Sequence, residues 1–358
     1  MMGTMIASLL KELVDESEEK QQQRRPGVPY HHHPLHPLGP PEALNSIPCN
    51  TTKTGYRRSQ NPFSNPLHSE QQQQHPFQVR RLSHTPHIFH LSNFLSETER
   101  MTLLWSTRND PKEVFYYAQN NTLNKGRMHC HVSWLKPYFA QGLSGKLAQD
   151  SARLVFSEAL HTGKGGAGQY EQLQIVRYTK AGKFDLHHDL AHRAVTVLYY
   201  LNGVAGTWFP LAQQAPQPPI QQSLKEHLES PLPQPPLPQP HSLQEALDLI
   251  KSHKLTPEKD GILVVGNGSF NSHNGDHDDE DKQHAQDTAA VVHIQPGDAI
   301  VFYNYDTTVP MITDSHNQEF NTKAKVDWRA IHAGLPVLNA PEKCIATHWF
   351  QGGDFVVK

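Results

Sequence analysis

From about residue 170 onward the chain is written in short β-strands. The segments "EQLQIVRY", "RAVTVLYYLN", "GTWFPL", "AVVHIQPGDAIVFYNY", "DWRAIHA" and "CIATHWF" are rich in β-branched and aromatic residues and are bounded by Gly, Pro or Asn. Strands this short and this numerous bury their apolar faces only by closing on one another, so the pattern points to a β-sandwich or barrel. Two helical patterns precede it. In "HIFHLSNFLSETERMTLLW", Ser96 and Glu99 have capping-box spacing, with Leu95, Met101, Leu104 and Trp105 as the apolar residues around them. A second helix is expected across "SGKLAQDSARLVFSEAL", with Leu147, Leu154, Val155 and Leu160 as buried candidates. The fold class that follows is mainly β with supporting helices, an α+β arrangement.

Two stretches do not fit a packed core. Residues 1–85 read as a disordered, low-complexity tail, with "QQQRRPGVPYHHHPLHPLGPPEAL" and "QQQQHPF" supplying little to bury. The triplet His31 to His33 is compositional in that setting. The first twenty residues read as a short amphipathic helix and not as a signal peptide, because they lack a basic start and a long apolar run. Residues 213–288, with "SPLPQPPLPQPH" and "NSHNGDHDDEDKQHAQD", read as an insertion between two strands, which a barrel tolerates because loop closure costs grow only logarithmically. Its acidic run lacks calcium-loop spacing and is read as solvated charge. Its proline-rich part fits a plain spacer or a segment held by a polyproline-binding partner. "SLQEALDLIKS" and "GILVV" inside it have the patterns of a helix and a strand. "GKGGAG" at 163–168 lacks the Lys-Ser/Thr ending of a phosphate-binding loop and reads as a linker.

The net charge of −3 argues against a general nucleic-acid binder, which needs a basic surface. Cys49, Cys130 and Cys344 are odd in number and unrelated in spacing, which excludes a disulfide framework and a cysteine zinc site. No stretch approaches the roughly 18 apolar residues of a membrane span. The resulting expectation is a soluble intracellular protein.

The chemistry-bearing pattern is "KFDLHHDLAH", residues 183 to 192. Side chains at i and i+2 of a strand share a face, so His187 and Asp189 converge while His188 points away. Asp185 and His192 are placed on the rim. A histidine and a carboxylate on one face are two-thirds of a facial triad for iron, with the other face left open. His332, at the end of the strand "DWRAIHAGLPV", offers the third ligand, and "PEKCIATHW" adds Lys343. A lysine near such a site suits a carboxylate-bearing ligand.

These segments together resemble the prolyl 4-hydroxylase group of the iron(II)- and 2-oxoglutarate-dependent dioxygenases. The likeness runs over "LQIVRYTKAGKFDLHHD", "RAVTVLYYLN", "GTWFP", "IQPGDAIVFYN" and "HAGLPVLNAPEKCIATHWF" in that order. The resemblance implies a double-stranded β-helix (jelly roll) core, in a dioxygenase domain at 170–352 interrupted by the 213–288 insertion and preceded by a helical support region at 86–169. It implies Fe(II) on His187, Asp189 and His332. It implies 2-oxoglutarate held by Lys343, Tyr178 and Thr207, with dioxygen as co-reactant and ascorbate as a reductant. It puts Arg193 and Trp349 on the substrate side, although Arg193 also fits a purely structural ion pair. The implied reaction hydroxylates a protein or peptide proline while 2-oxoglutarate becomes succinate. The same chemistry on another side chain or a small molecule, and a catalytically silent scaffold, are the alternatives. Lys343 stands eleven residues after His332 where the group usually has ten, and Phe184 stands where relatives often have tyrosine.

Overall fold

The computed structural model describes residues 42–49, 51–59, 74–109, 115–120, 126–135, 140–156, 170–189, 193–213, 237–266, 290–305 and 326–351. Among these residues thirteen strands join into one sheet. In chain order they are β1 (Thr52–Ser59), β2 (Gln74–His84), β3 (His87–Ser92), β4 (Phe115–Asn120), β5 (Arg127–Leu135), β6 (Gln174–His187), β7 (Arg193–Tyr200), β8 (Gly206–Phe209), β9 (Ile262–Val265), β10 (Ala290–His293), β11 (Ala299–Tyr303), β12 (His332–Gly334) and β13 (Glu342–Gln351). The order across the sheet is β1-β2-β3-β11-β7-β13-β6-β12-β8-β9-β10, with β5 also on β6 and β4 on β5. The β9–β10 pair is parallel and the other pairs are antiparallel.

Side-chain alternation explains how the sheet is covered. Val195, Val197 and Tyr199 of β7, with Cys344, Ala346 and Phe350 of β13, share a core with the helices α2 (Glu97–Asn109) and α3 (Gly145–Val155) through Leu103, Leu147 and Val155. A four-residue helix, α1 (Glu42–Asn45), adds Leu44 to the same cluster. The intervening residues Leu198, Tyr200 and Ile345 face a second core with Val176, Phe209, Val264 and Ile300. Both faces of β7 are therefore dry, which is why it reads as an almost unbroken apolar run. The 14-residue β6 joins the two halves of the curl. Gln174–Thr179 pair with β13, while Phe184 and His187 pair with β12. The core is the jelly roll expected from the sequence, mainly β with supporting helices.

Helix α2 starts as its capping box requires. The Ser96 backbone N–H donates to Glu99 Oε2 at 2.9 Å, and the Glu99 N–H donates back to Ser96 Oγ at 3.3 Å. Leu95, Leu103 and Leu104 are buried, whereas Met101 and Trp105, four residues apart on the outward stripe, are exposed. Helix α3 buries Leu147 and Val155, leaves Leu154 half-buried and ends before Leu160, which lies outside the described residues. The readings of the first twenty residues, His31 to His33, "GKGGAG" and the acidic run also fall outside them.

Three expected boundaries move. The tail does not extend to residue 85, because β1 and β2 fall inside the 1–85 region and pair with each other, and β2 pairs with β3. The 86–169 region is not simply helical, since it also holds β3, β4 and β5. The 213–288 insertion contains α4 (Leu243–Ser252) and β9. Ser242 caps α4 by accepting from the Glu245 N–H, and Ala246 and Ile250 pack on Trp208 and Leu263. β9 pairs with β8, so this part of the insertion belongs to the sheet.

Charge explains the first of these corrections. Arg58 of β1 is 5 % exposed and donates from Nη2 to Glu99 Oε1 at 3.0 Å and from Nε to Asp150 Oδ2 at 3.1 Å. Its Nη1 also donates to the Phe94 carbonyl. Lys146 Nζ completes a two-cation, two-anion cluster at 2.9 Å from Asp150. This cluster fixes β1 to α2 and α3. Removing one partner of a buried pair strands the other charges. Arg58→Ala is expected to destabilise the chain by roughly 3–5 kcal/mol, read as a lower urea midpoint; a loss within about 1 kcal/mol would show the cluster to behave as a surface pair.

Candidate active site

The inward faces of β5, β6, β7, β8, β11, β12 and β13 line one pocket of about 50 Å³, open to solvent at its mouth. His187 closes β6, and β12 brings His332 directly opposite it. Their rings lie 4.2 Å apart between centroids. Asp189 follows two residues after His187, with Oδ1 3.9 Å from His187 Nε2. Among the described residues one ligand atom from each of His187, Asp189 and His332 lies within 4.8 Å of the others.

Each member is held in a ligating orientation. His187 Nδ1 sits 2.8 Å from the Asp185 carbonyl and His332 Nδ1 3.0 Å from the Ala330 carbonyl. A carbonyl only accepts, so each Nδ1 carries a proton and Nε2 is the nitrogen left to ligate. Burial, with His332 beside it, lowers His187 to about 3, which keeps the ring neutral at ordinary pH. Burial alone would raise Asp189, but His332, His187 and the Thr196 hydroxyl outweigh it and hold the carboxyl below its usual range. Thr196 Oγ1 donates to Asp189 Oδ2 at 2.6 Å, and Asn304 Nδ2 donates to Thr196 Oγ1 at 3.1 Å. Two imidazoles and a carboxylate on one face suit a divalent first-row metal.

The closed end of the pocket holds a buried cation. Lys343 is 1 % exposed and donates to the Gly206 carbonyl at 3.0 Å. No carboxylate among the described residues pairs with it. Burial lowers its pKa to about 7. Tyr178 lies directly across from it on β6, with its ring centroid 5.1 Å from Nζ. Thr207 lines the same end and accepts from the Tyr200 hydroxyl at 3.0 Å. Burial pushes both phenols above their ordinary value, so they act as neutral donors. Space is kept open by Gly334, where a Cβ would stand 3.7 Å from Lys343 Nζ. An unpaired buried ammonium with free volume in front of it fits the distal carboxylate of a dicarboxylic acid such as 2-oxoglutarate.

The remaining expected residues divide. Trp349 lines the pocket. Arg193 does not; it donates to both carboxylate oxygens of Glu171, at 2.5 and 2.8 Å, and lies 3.9 Å over the Trp349 ring. His188 faces away, with Nε2 3.1 Å from the Asp327 carbonyl and its ring against Trp328. Asp185 is exposed and paired with Lys183 at 2.8 Å. His192 lies outside the described residues. Phe184 stacks on His187 with centroids 3.6 Å apart.

Thr196, Asn304, Gln174 and Arg127 also serve the pocket, and none was marked by sequence. Thr196 had a readable signal, because it is polar at an inward position of an otherwise apolar strand. Arg127 had none. Its strand, "RMHCHVSWL", lacks β alternation and carries a bulge between Met128 and Cys130.

The chain matches no protein-family model and no curated protein. Its fold is similar to that of several solved structures. One is the viral collagen prolyl hydroxylase from Paramecium Bursaria Chlorella virus-1 in complex with 2OG, at 17% identity and TM-score 0.36, covering 74% of this chain and 96% of that one. Another is a prolyl-4-hydroxylase from Pseudomonas putida, at 14% identity and TM-score 0.37, covering 75% and 94%. A third is HygX from Streptomyces hygroscopicus with nickel and 2-oxoglutarate bound, at 13% identity and TM-score 0.36, covering 76% and 85%.

The depressed Lys343 makes a sign prediction. Its folded value of about 7 lies below its ordinary 10.5, so between these pH values the unfolded chain binds more protons. Stability of the ligand-free protein therefore rises with pH through that window, and the desolvation penalty is full below it. Lys343→Met is expected to stabilise the ligand-free chain by a few kcal/mol at about pH 6 and by much less at about pH 9 to 10. Urea unfolding at both pH values checks this; an equal gain at the two would show that Lys343 is not desolvated.

Proposed function

We propose that the chain is an iron(II)- and 2-oxoglutarate-dependent dioxygenase that hydroxylates a proline of a protein substrate. One observation carries the reading. Three side chains able to ligate, His187, Asp189 and His332, converge in the same pocket as a buried lysine that has no carboxylate partner among the described residues. The ordered sequence blocks support the prolyl 4-hydroxylase form of that chemistry. No helix among the described residues is long and apolar enough to cross a membrane.

The donor set suits the group. His187 Nε2, His332 Nε2 and an Asp189 oxygen would hold the iron, and Lys343 with Tyr178 and Thr207 would hold the far carboxylate of 2-oxoglutarate. Bound iron, 2-oxoglutarate and dioxygen supply the oxidation, in which one oxygen atom enters the substrate C–H bond and the other enters succinate as carbon dioxide leaves.

This chain's residues do the positioning. The Asp185 and Ala330 carbonyls engage each Nδ1–H and orient each ring with Nε2 left to ligate. Thr196 fixes one oxygen of Asp189 and leaves the other toward His187. Lys343, near its midpoint at neutral pH, becomes fully charged when an anion arrives, because an opposite charge favours the ammonium. Val176, Leu198 and Ile345 line the space between and keep it poor in water.

Asp189→Ala is expected to abolish iron-dependent conversion of 2-oxoglutarate to succinate. Lys343→Ala is expected mainly to raise the 2-oxoglutarate requirement, and Thr196→Val to weaken metal binding by about 10- to 100-fold. Anaerobic metal titration and succinate measurement check all three. Normal turnover by Asp189→Ala would remove the assignment. Mass spectrometry of peptides for one added oxygen on proline separates this substrate from other side chains.

A further inference from the structure

The mouth of the pocket carries a second unneutralised cation. Arg127, at the start of β5, lines the pocket with Trp349, on the solvent side of the fully buried Lys343. Its guanidinium lies 4.3 Å over Phe184, whose other neighbour is the His187 ring. Its one side-chain hydrogen bond among the described residues goes from Nη2 to a neutral acceptor, Gln174 Oε1, at 3.3 Å. The other cations nearby are satisfied by carboxylates: Arg193 by Glu171, Arg177 by Glu342 and Lys183 by Asp185.

Two donors are left over. Arg127 Nε and Trp349 Nε1 are both buried and both lack an acceptor among the described residues. Trp349 cannot turn easily to find one, because its ring is held between the Arg193 guanidinium at 3.9 Å and Trp134 at 5.7 Å. The wall between is aliphatic, made by Val176, Leu198 and Ile345. Buried N–H groups without partners are costly, and a guanidinium with no anion is more so. Both become satisfied if the substrate brings a carboxylate and a carbonyl.

The geometry points to an anion-accepting substrate subsite built on Arg127, which selects a polypeptide with an acidic side chain beside the residue that is oxidised. Trp349 Nε1 takes a main-chain carbonyl of the same segment. The inference rests on the dioxygenase reading for what happens to the substrate, but the selection itself is a binding property. A planar guanidinium braced on an aromatic ring is preorganised for a carboxylate, and a lysine there would keep charge without the fork. Because Arg127 is half-exposed, added salt weakens the preference.

Two peptides test it, identical except that the central proline is flanked by glutamates in one and by glutamines in the other. Binding to the full chain loaded with nickel(II) and 2-oxoglutarate is read by fluorescence anisotropy. The wild type is expected to bind the glutamate peptide at least about tenfold more tightly. Arg127→Gln removes the difference, Arg127→Lys retains part of it, and Arg127→Glu turns the preference toward a lysine-flanked peptide. If Arg127→Gln does not fold, the lysine and glutamate variants carry the test. Equal binding of the two peptides by the wild type overturns the subsite, as does a glutamate preference that survives Arg127→Gln. It is also overturned if Arg127→Gln raises the half-saturating 2-oxoglutarate concentration as Lys343→Ala does, since Arg127 would then serve the cosubstrate. Absence of 2-oxoglutarate turnover with an intact glutamate preference sinks the dioxygenase reading and leaves the subsite standing. Turnover with no preference does the reverse.

Discussion

Everything in this molecule depends on β7 and β13 having both faces covered. One face of each packs on α2 and α3 through Val197, Tyr199, Ala346 and their neighbours. The other looks into the roll, and there the same strands change character. Thr196, Lys343, Thr347 and Trp349 alternate with the outward apolar residues and line the pocket. A one-residue slip in register would drive Lys343 into the helix-facing core and Cys344 into the pocket. The helices on the outside therefore do chemical work at a distance. By making the outward parity apolar, they fix which residues point in.

Orientation within the site is built from backbone. The two histidines are set by carbonyls two residues before each of them, a spacing that an extended chain supplies without any further partner. Asp189 needs a side chain, and receives Thr196 from the adjacent strand, with Asn304 behind it. The N-terminal additions act more remotely. The Arg58 cluster ties β1 to α2 and α3, and those helices brace β7 and β13. Buried charge so far from the pocket contributes by holding the brace rather than by touching a ligand.

What could be read from sequence follows how each feature is encoded. Five of the six strand segments, the Ser96–Glu99 cap and the His187–Asp189 pair are local patterns of period two or three, and they were legible; "DWRAIHA" instead forms a 3-10 turn at Trp328–Ala330, and its strand is confined to His332–Gly334. His332 and Lys343 were legible only because the downstream blocks follow an ordered pattern. The boundary at 85 was not, because β1 and β2 carry charged and proline-bearing sequence, "TKTGYRRS" and "QHPFQVRRLSH". Their stability comes from pairing and from an ion cluster whose partners are 41 and 92 residues away. The strand pattern of "GILVV" was legible as β9, but its pairing with β8 was not, since low-complexity sequence on each side cuts it off from the other strands. Arg127 was the hardest, because its meaning lies in a missing partner, and a missing partner has no sequence pattern.

The ligand-free pocket is consequently a place where stability has been given up. Burial disfavours the charged form of Lys343, and among the described residues Arg127 has no carboxylate partner and Trp349 Nε1 and Arg127 Nε have no acceptor. Each deficit has a definite chemical complement, and the complements are different. A metal relieves the crowding of the two imidazole lone pairs against the Asp189 carboxylate. A carboxylate at the closed end relieves Lys343, and a second anion at the mouth relieves Arg127. Groups that bind the folded chain alone add their binding free energy to its stability, so each occupant in turn stiffens the same sheet. His187 lies between His332 and Phe184, and the Arg127 guanidinium lies over the Phe184 ring. The stack of guanidinium, phenyl and imidazole thus makes one continuous line of contact from the mouth of the pocket to the three converging side chains.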